Sequence, residues 1–332
     1  MLKFLTRREF FKFFKISLIF LLSGCFRFSK KLTFGCQKEF IPSTIRKSFS
    51  VNFIQQNINF SKIDNEKNNL QYVNSDLILI NDGWINSINF GDFKTLDTNL
   101  NERLDKRSKE YLYSLEINKR KKLFPAGLVP YAVIVKNNKY LKINNQLSWD
   151  FLLRNELKGN IILPNSSRLI ISLAQRMKVN DSLKKFLDQE NIYDDKNILD
   201  WIMSKNSAVA IIPYNQCQKI LKIDSRISII FPNDGVPLSW FFALIKNDIN
   251  EAFFIKWINS LDNHIVSRKL AGEGWFLPFS SIHAQSNFIN SEDAKRNKRP
   301  SEICWKNSWS FPPMNSKFKE QLELYWNKNL TP

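Results

Sequence analysis

Hydrophobic residues in this chain fall into short unbroken runs and helix-spaced stripes. SDLILI (75–80), YAVIV (131–135), GNIIL (159–163), AVAII (208–212) and ISIIF (227–231) are apolar blocks bounded by polar or turn-forming residues, which is the pattern of strands buried on both faces. Between them, Leu169, Ile170, Leu173, Ala174 and Met177 share one helical face, and so do Phe253, Phe254, Trp257, Ile258 and Leu261. Strands alternating with helices predict parallel sheets covered on both sides, hence an α/β fold. No Pro/Gly-rich linker divides the chain. A second lobe is therefore expected to be inserted in the first, with crossings at Tyr131–Val135 and near Leu238–Ile245.

The first 25 residues follow a different pattern. A basic front (Lys3, Arg7, Arg8, Lys12) leads into an apolar run from Phe13 to Leu22 and then Ser23-Gly24-Cys25, the tripartite layout of an export signal. The run is about half the roughly 20 residues that span a bilayer. Thr6-Arg7-Arg8-Glu9-Phe10-Phe11-Lys12 resembles the twin-arginine signal, and Leu22-Ser23-Gly24-Cys25 resembles a lipobox. The implied mature chain begins at an acylated Cys25, held at a membrane surface.

Composition then bounds the rest. The 308 residues after position 24 exceed what one core usually serves, so two lobes are expected. Formal net charge is +18; five cations and one carboxylate lie within residues 1–24, leaving +14. Such a balance raises nucleic acid or an anionic membrane surface as a partner. The lysines, however, are scattered among asparagines and isoleucines, with no RNP, helix-turn-helix or zinc-finger pattern, and a nucleic-acid role is set aside. Cys36, Cys217 and Cys304 are odd in number and widely spaced, which indicates neither a disulfide framework nor a metal site; a single Cys217–Cys304 bridge stays open.

No catalytic constellation is present. HExxH, GxSxG and GxxxxGK[ST] are all missing, and His264 and His283 read as exposed helix-end and loop residues. Asp194-Asp195 reads as a helix-start cluster. What recurs is an aromatic or small polar residue directly after a buried strand. Asp82 and Trp84 follow one run, Asn165, Ser166, Ser167 and Arg168 another, Tyr214 a third, and Asn233 and Asp234 a fourth. In open α/β sheets ligands bind outside the carboxyl ends of strands. The pattern predicts a cleft without an active centre, and no cofactor or metal.

In this order, SDLILINDGWINSI (75–88), PYAVIVKN (130–137), SWDFLLRNELKGNIILPNSSRLIISLAQ (148–175) and IIFPNDGVPLSWFFALIKN (229–247) resemble the spermidine/putrescine-binding group of ABC-importer substrate-binding proteins. The resemblance implies a two-lobed periplasmic-binding fold with two crossover strands. It implies residues 1–24 as signal, 25–50 as lipidated tether, 51–130 with 240–332 as lobe 1, and 131–239 as lobe 2. It further implies a non-enzymatic, periplasmic, membrane-anchored receptor that closes over a small molecule and serves a permease. Polyamine is the favoured ligand, held by Asp82, Asp234 and Glu273 as charges and by Trp84, Tyr214, Trp240 and Trp275 as aromatic faces. Two departures stand: Phe242 occupies a position where polyamine binders carry an aspartate, and the Asn165–Arg168 turn is not acidic. Ser166, Ser167 and Arg168 at a helix start suit an anionic or zwitterionic solute instead. An anchored hydrolase and a purely structural lipoprotein are the readings from other classes.

Overall fold

All five expected strands form, four within two residues of the sequence blocks and the YAVIV strand extended back to Phe124, in a computed structural model. It describes residues 32–37, 41–48, 53–57, 75–136, 148–189, 191–194, 197–204, 209–221, 224, 226–279, 299–313 and 316–330. Residues 1–24, expected to be an export signal, and Cys25, Asp195 and His283 lie outside these residues. The strands are β1 (Leu32–Cys36), β2 (Phe53–Asn57), β3 (Leu77–Asn81), β4 (Phe124–Lys136), β5 (Ile161–Leu163), β6 (Ile192–Tyr193), β7 (Val209–Pro213), β8 (Ile227–Ile230), β9 (Pro237–Ile245) and β10 (Trp309–Ser310). They join in the order β2-β1-β3-β9-β4-β7-β5-β6, with β10 against β9 and β8 against β4.

β4 is the shared strand. Phe124–Pro130 pairs with β9, whereas Tyr131–Lys136 pairs with β7 and β8. One continuous strand thus belongs to two half-sheets, the two-lobed α/β arrangement expected. Strand direction departs from expectation: β1–β2, β1–β3, β5–β6 and β5–β7 are parallel, but β3–β9, β4–β9, β4–β7 and β4–β8 are antiparallel. The reason is topological. The chain leaves the first half along β4 and returns along β8 and β9, so the joining strands run against each other.

The return crossing lies a few residues earlier than expected, in the turn Phe231–Val236 between β8 and β9. Gly235 sits there at φ +90°, and a Cβ on it would come within 2.2 Å of the Asn307 backbone. Trp149, fully buried, donates from Nε1 to the Gly235 carbonyl at 2.9 Å, and Asn307 Nδ2 donates to the Asn233 carbonyl at 2.7 Å. Gly235→Ala combines a left-handed φ with a backbone collision, and we expect a loss of about 2 kcal/mol or more, read as a lowered urea midpoint. An unchanged midpoint would mean that the turn can re-form around a side chain.

Three further differences from the sequence reading bear on the site. Residues 32–36, expected within the tether, form β1 between β2 and β3. Asp76 fixes this strand by accepting from Thr33 N at 2.6 Å and Thr33 Oγ1 at 2.9 Å. The C-terminal helix Ser316–Leu330 packs on the helices Ser167–Ala174 and Ser182–Leu187, which the expected boundaries assign to the other lobe, and Trp326 meets Tyr193 edge-on. Cys217 and Cys304 are buried and unbridged; burial pushes the Cys304 thiol up to about 12 and raises Cys217 as well. Among the described residues no helix is long and apolar enough to cross a membrane.

Helix faces follow the predicted stripes. Ser167–Ala174 buries Leu169, Ile170, Leu173 and Ala174, and Met177 is buried just beyond its end. Glu251–Leu261 buries Phe254, Trp257, Ile258 and Leu261, but Phe253 is 44% exposed. It lies at the edge of the stripe, where the apolar face gives way to solvent.

Candidate functional site at the seam of the two half-sheets

Two strand ends face each other across the seam. β3 runs into Asn81, whose side-chain oxygen accepts from Gly83 N at 2.9 Å and starts a 3-10 helix at Asp82–Ser87. Asn81 Nδ2 donates to Ser239 Oγ on β9, which ties this turn to the joining strand. On the other side β5 runs into Pro164-Asn165-Ser166, and Ser166 Oγ caps the helix Ser167–Ala174 by accepting from Leu169 N at 3.3 Å. This is the strand–cap–helix geometry that places the next side chains at the carboxyl edge of a sheet.

Asp82 and Arg168 meet there. The Asp82 side chain is 1% exposed and that of Arg168 10%; Arg168 Nη2 lies 3.0 Å from Asp82 Oδ2. The same oxygen accepts from Tyr111 Oη at 2.9 Å. Arg168 Nη2 also donates to the Pro312 carbonyl at 2.8 Å, and the guanidinium lies 4.6 Å above the Phe311 ring. Arg168 Nε is buried without a partner among the described residues. Burial is the largest single influence on Arg168 and opposes its charge, but Asp82 and Tyr111 together outweigh it and the pKa rises. Burial foremost, and then Asp82, lifts the Tyr111 hydroxyl well above its ordinary value, so this hydroxyl stays a donor.

Rings build the floor. Tyr111 stacks on Trp240 (5.1 Å, 17°) and lies 6.0 Å from Phe242. Trp240 Nε1 donates to Ser310 Oγ at 2.8 Å, which anchors β10 beside the site. Phe311 meets Tyr131 edge-on at 6.1 Å, just where β4 changes partners.

The other nominated residues are distributed otherwise. Trp240, Tyr214 and Trp275, expected to offer ring faces to a ligand, are fully buried and pack within the core cluster. Tyr214 packs against Phe231 and Phe276, and Trp275 against Phe241 and over Gly127, where no Cβ would fit. Glu273 is spent on the helix Ser43–Ser48, accepting from Ser43 Oγ, Thr44 N and Thr44 Oγ1. Asp234 lies in the return turn, 3.3 Å from the exposed Lys178 ammonium. Trp84 is half-buried two residues after Asp82, and Ser167, half-buried, is the first residue of its helix. Asp194 caps the helix Ile198–Ser204 as expected, accepting from Asn197 N at 2.9 Å and Trp201 Nε1 at 2.7 Å. His264 is exposed at a helix start. Sequence reasoning missed Tyr111, Phe311 and the Pro312 carbonyl. Among the described residues no group of three His, Cys, Asp or Glu side chains could hold a metal.

No protein-family model matches the sequence, and no curated protein matches it. Solved structures do match in fold. The spermidine/putrescine ABC transporter substrate-binding protein PotD from Streptococcus pneumoniae aligns at TM-score 0.66 and 13% identity, over 90% of this chain and 98% of that one. A ferric binding protein from Campylobacter jejuni aligns at 0.60 and 14%, over 90% and 99%. A periplasmic thiamin binding protein aligns at 0.62 and 11%, over 91% and 96%. At these identities the likeness establishes the two-lobed periplasmic-binding fold.

Proposed function

We propose that this chain is the exported solute-binding protein of an ABC importer. Its half-sheets hinge about β4 and the turn Phe231–Val236, a small molecule enters between the Asp82 and Arg168 turns, and a membrane permease receives the closed form. The carrying observation is the Asp82–Arg168 contact across the seam. Apolar packing of similar volume would seal a purely structural seam at least as well as a buried ion pair, so a charged seam is better suited to a polar guest. The fold shared with proteins whose names record polyamine, iron and thiamin binding supports the same reading.

For the ligand, the sequence resemblance and the PotD likeness favour a polyamine, with Asp82 as the carboxylate and Trp84 as the ring nearest to it in sequence. Arg168 beside the half-buried Ser166 and Ser167 favours a second reading, an anionic or zwitterionic solute. In both, the signal-like leader places the protein outside the cytoplasmic membrane, attached through Cys25. Lobe 1 is built on β1, β2, β3, β9, β10 and the Phe124–Pro130 part of β4, and lobe 2 on β5 to β8 and the Tyr131–Lys136 part of β4, with the C-terminal helix packed on lobe 2.

The test is a thermal-shift panel of spermidine, putrescine, amino acids and small anions. A ligand at a hundredfold its Kd stabilises the native state by about 2.7 kcal/mol, a rise of a few °C for a chain this long. We expect polyamines to give the rise. A flat response to the whole panel would overturn the receptor reading.

A further inference from the structure

The surroundings of the Arg168 guanidinium are those of a bound cation. A carboxylate oxygen lies at 3.0 Å, a backbone carbonyl at 2.8 Å and an aromatic face at 4.6 Å. These are the provisions by which a protein takes a cation out of water. They come from distant parts of the chain, Asp82 after β3, Pro312 and Phe311 after β10, and Tyr111 bracing the carboxylate from the helix Lys106–Ser114. Such a convergence makes a built cage, and its occupant is the protein's own side chain.

That occupant fits imperfectly. Arg168 is the second residue of its helix, at the end where the helix dipole disfavours a cation. Its Nε is buried with no partner among the described residues, so one guanidinium donor goes unused. A buried unpaired donor carries a desolvation cost that a better-matched cation would not incur.

We infer that Arg168 is an internal competitor for the solute's cation: it fills the Asp82–Phe311–Pro312 cage in the empty protein and sets specificity by admitting only cationic solutes able to displace it. The inference deepens the solute-receptor reading and rests on it for its consequence in uptake. The cage itself does not depend on that reading. Displacement breaks the Arg168–Asp82 and Arg168–Pro312 contacts and frees the β5–helix turn from the β3 turn. Binding would thereby be coupled to the relative position of the half-sheets.

The experiment compares the wild-type protein, Arg168→Ala and Asp82→Asn/Arg168→Ala, by calorimetric titration with spermidine and with ethylguanidinium, a free copy of the missing group. Arg168→Ala should bind both at least tenfold more tightly than wild type. Millimolar ethylguanidinium should raise its melting temperature by several °C and leave wild type unmoved. The double variant should lose both effects, because the carboxylate is gone. If Arg168→Ala fails to fold, Arg168→Gln is read in its place, and refolding of Arg168→Ala restored by ethylguanidinium supports the cage; rescue of neither variant overturns it. Loss in Arg168→Ala of an acetate or phosphate affinity that wild type possesses would also overturn it, since Arg168 would then be an anion ligand. Spermidine binding equally to wild type and Arg168→Ala keeps the receptor and refutes the competitor. A gain in Arg168→Ala, beside a wild-type protein that binds no solute in the panel, keeps the cage and refutes the receptor.

Discussion

Replacement of Trp240 by alanine is expected to destabilise the protein by about 3–5 kcal/mol, the range for deleting a buried indole. Trp240 has no exposed surface, stacks on Tyr111 at 5.1 Å and donates from Nε1 to Ser310 Oγ. Its loss would open a cavity in β9, the strand that pairs with both β3 and β4. It would also remove the ring on which Tyr111 rests and leave Ser310 without that donor. The sequence places this tryptophan after an acidic-glycine turn and so suggests a ligand-facing ring whose removal would spare the fold. The structure reverses the expectation, and fold and solute response should weaken together. The measurement is the urea midpoint, with circular dichroism to confirm the native baseline. A midpoint close to wild type would mean that the indole lines an open wall after all.

That reversal marks what the sequence carries and what it lacks. Continuous apolar runs locate β3, β4, β5 and β7 because a strand buried on both faces needs no alternation, and the same kind of run locates β8, although its burial alternates. The same feature erases facing: every residue of β9 is buried, so nothing in its sequence separates a core ring from a wall ring. Strand direction is equally silent, because a run of isoleucines pairs either way and the antiparallel spine follows from the path of the chain. β1 was hidden in a basic stretch, where Leu-Thr-Phe-Gly-Cys is flanked by Lys31 and Lys38. Its parallel pairing with β2 and β3 and its long-range bonds to Asp76 reveal it.

At the site, placement after strand ends was readable for Asp82 and Arg168, and both are there. Their partnership was not, since they lie 86 residues apart. Tyr111 sits in a mostly polar helix whose buried face is only Ser108, Tyr111 and Leu112. Phe311 and Pro312 follow a two-residue strand. None of the three carries a periodic signal strong enough to nominate it, and each acquires meaning only from the side chain it meets. Glu273 shows the converse: an acidic residue next to a glycine and a tryptophan looks like a ligand, yet it caps the helix Ser43–Ser48.

Asp82→Ala should cost roughly 3–5 kcal/mol, because removing one partner of a buried pair strands the other charge. The stranded group is the Arg168 guanidinium, whose side chain is 10% exposed and which would keep only the Pro312 carbonyl and the Phe311 face. Tyr111 Oη would lose its acceptor as well. The informative partner of this experiment is the double replacement Asp82→Leu/Arg168→Met, which fills similar volume with no charge to desolvate. Buried pairs exchanged for apolar side chains are commonly neutral or better in stability, so the double variant should recover most of the loss in urea unfolding. It should nonetheless give no thermal shift with any solute that stabilises the wild type. Recovery of stability with loss of solute response would mean that the pair is retained for recognition. An Asp82→Ala cost below about 1 kcal/mol, the range of exposed pairs, would instead make the contact a solvated surface bridge, and the seam would then hold no cation cage. A double variant that stays as unstable as Asp82→Ala would give the pair a structural duty that apolar packing cannot perform. Charge at the seam would then be explained by folding rather than by a guest.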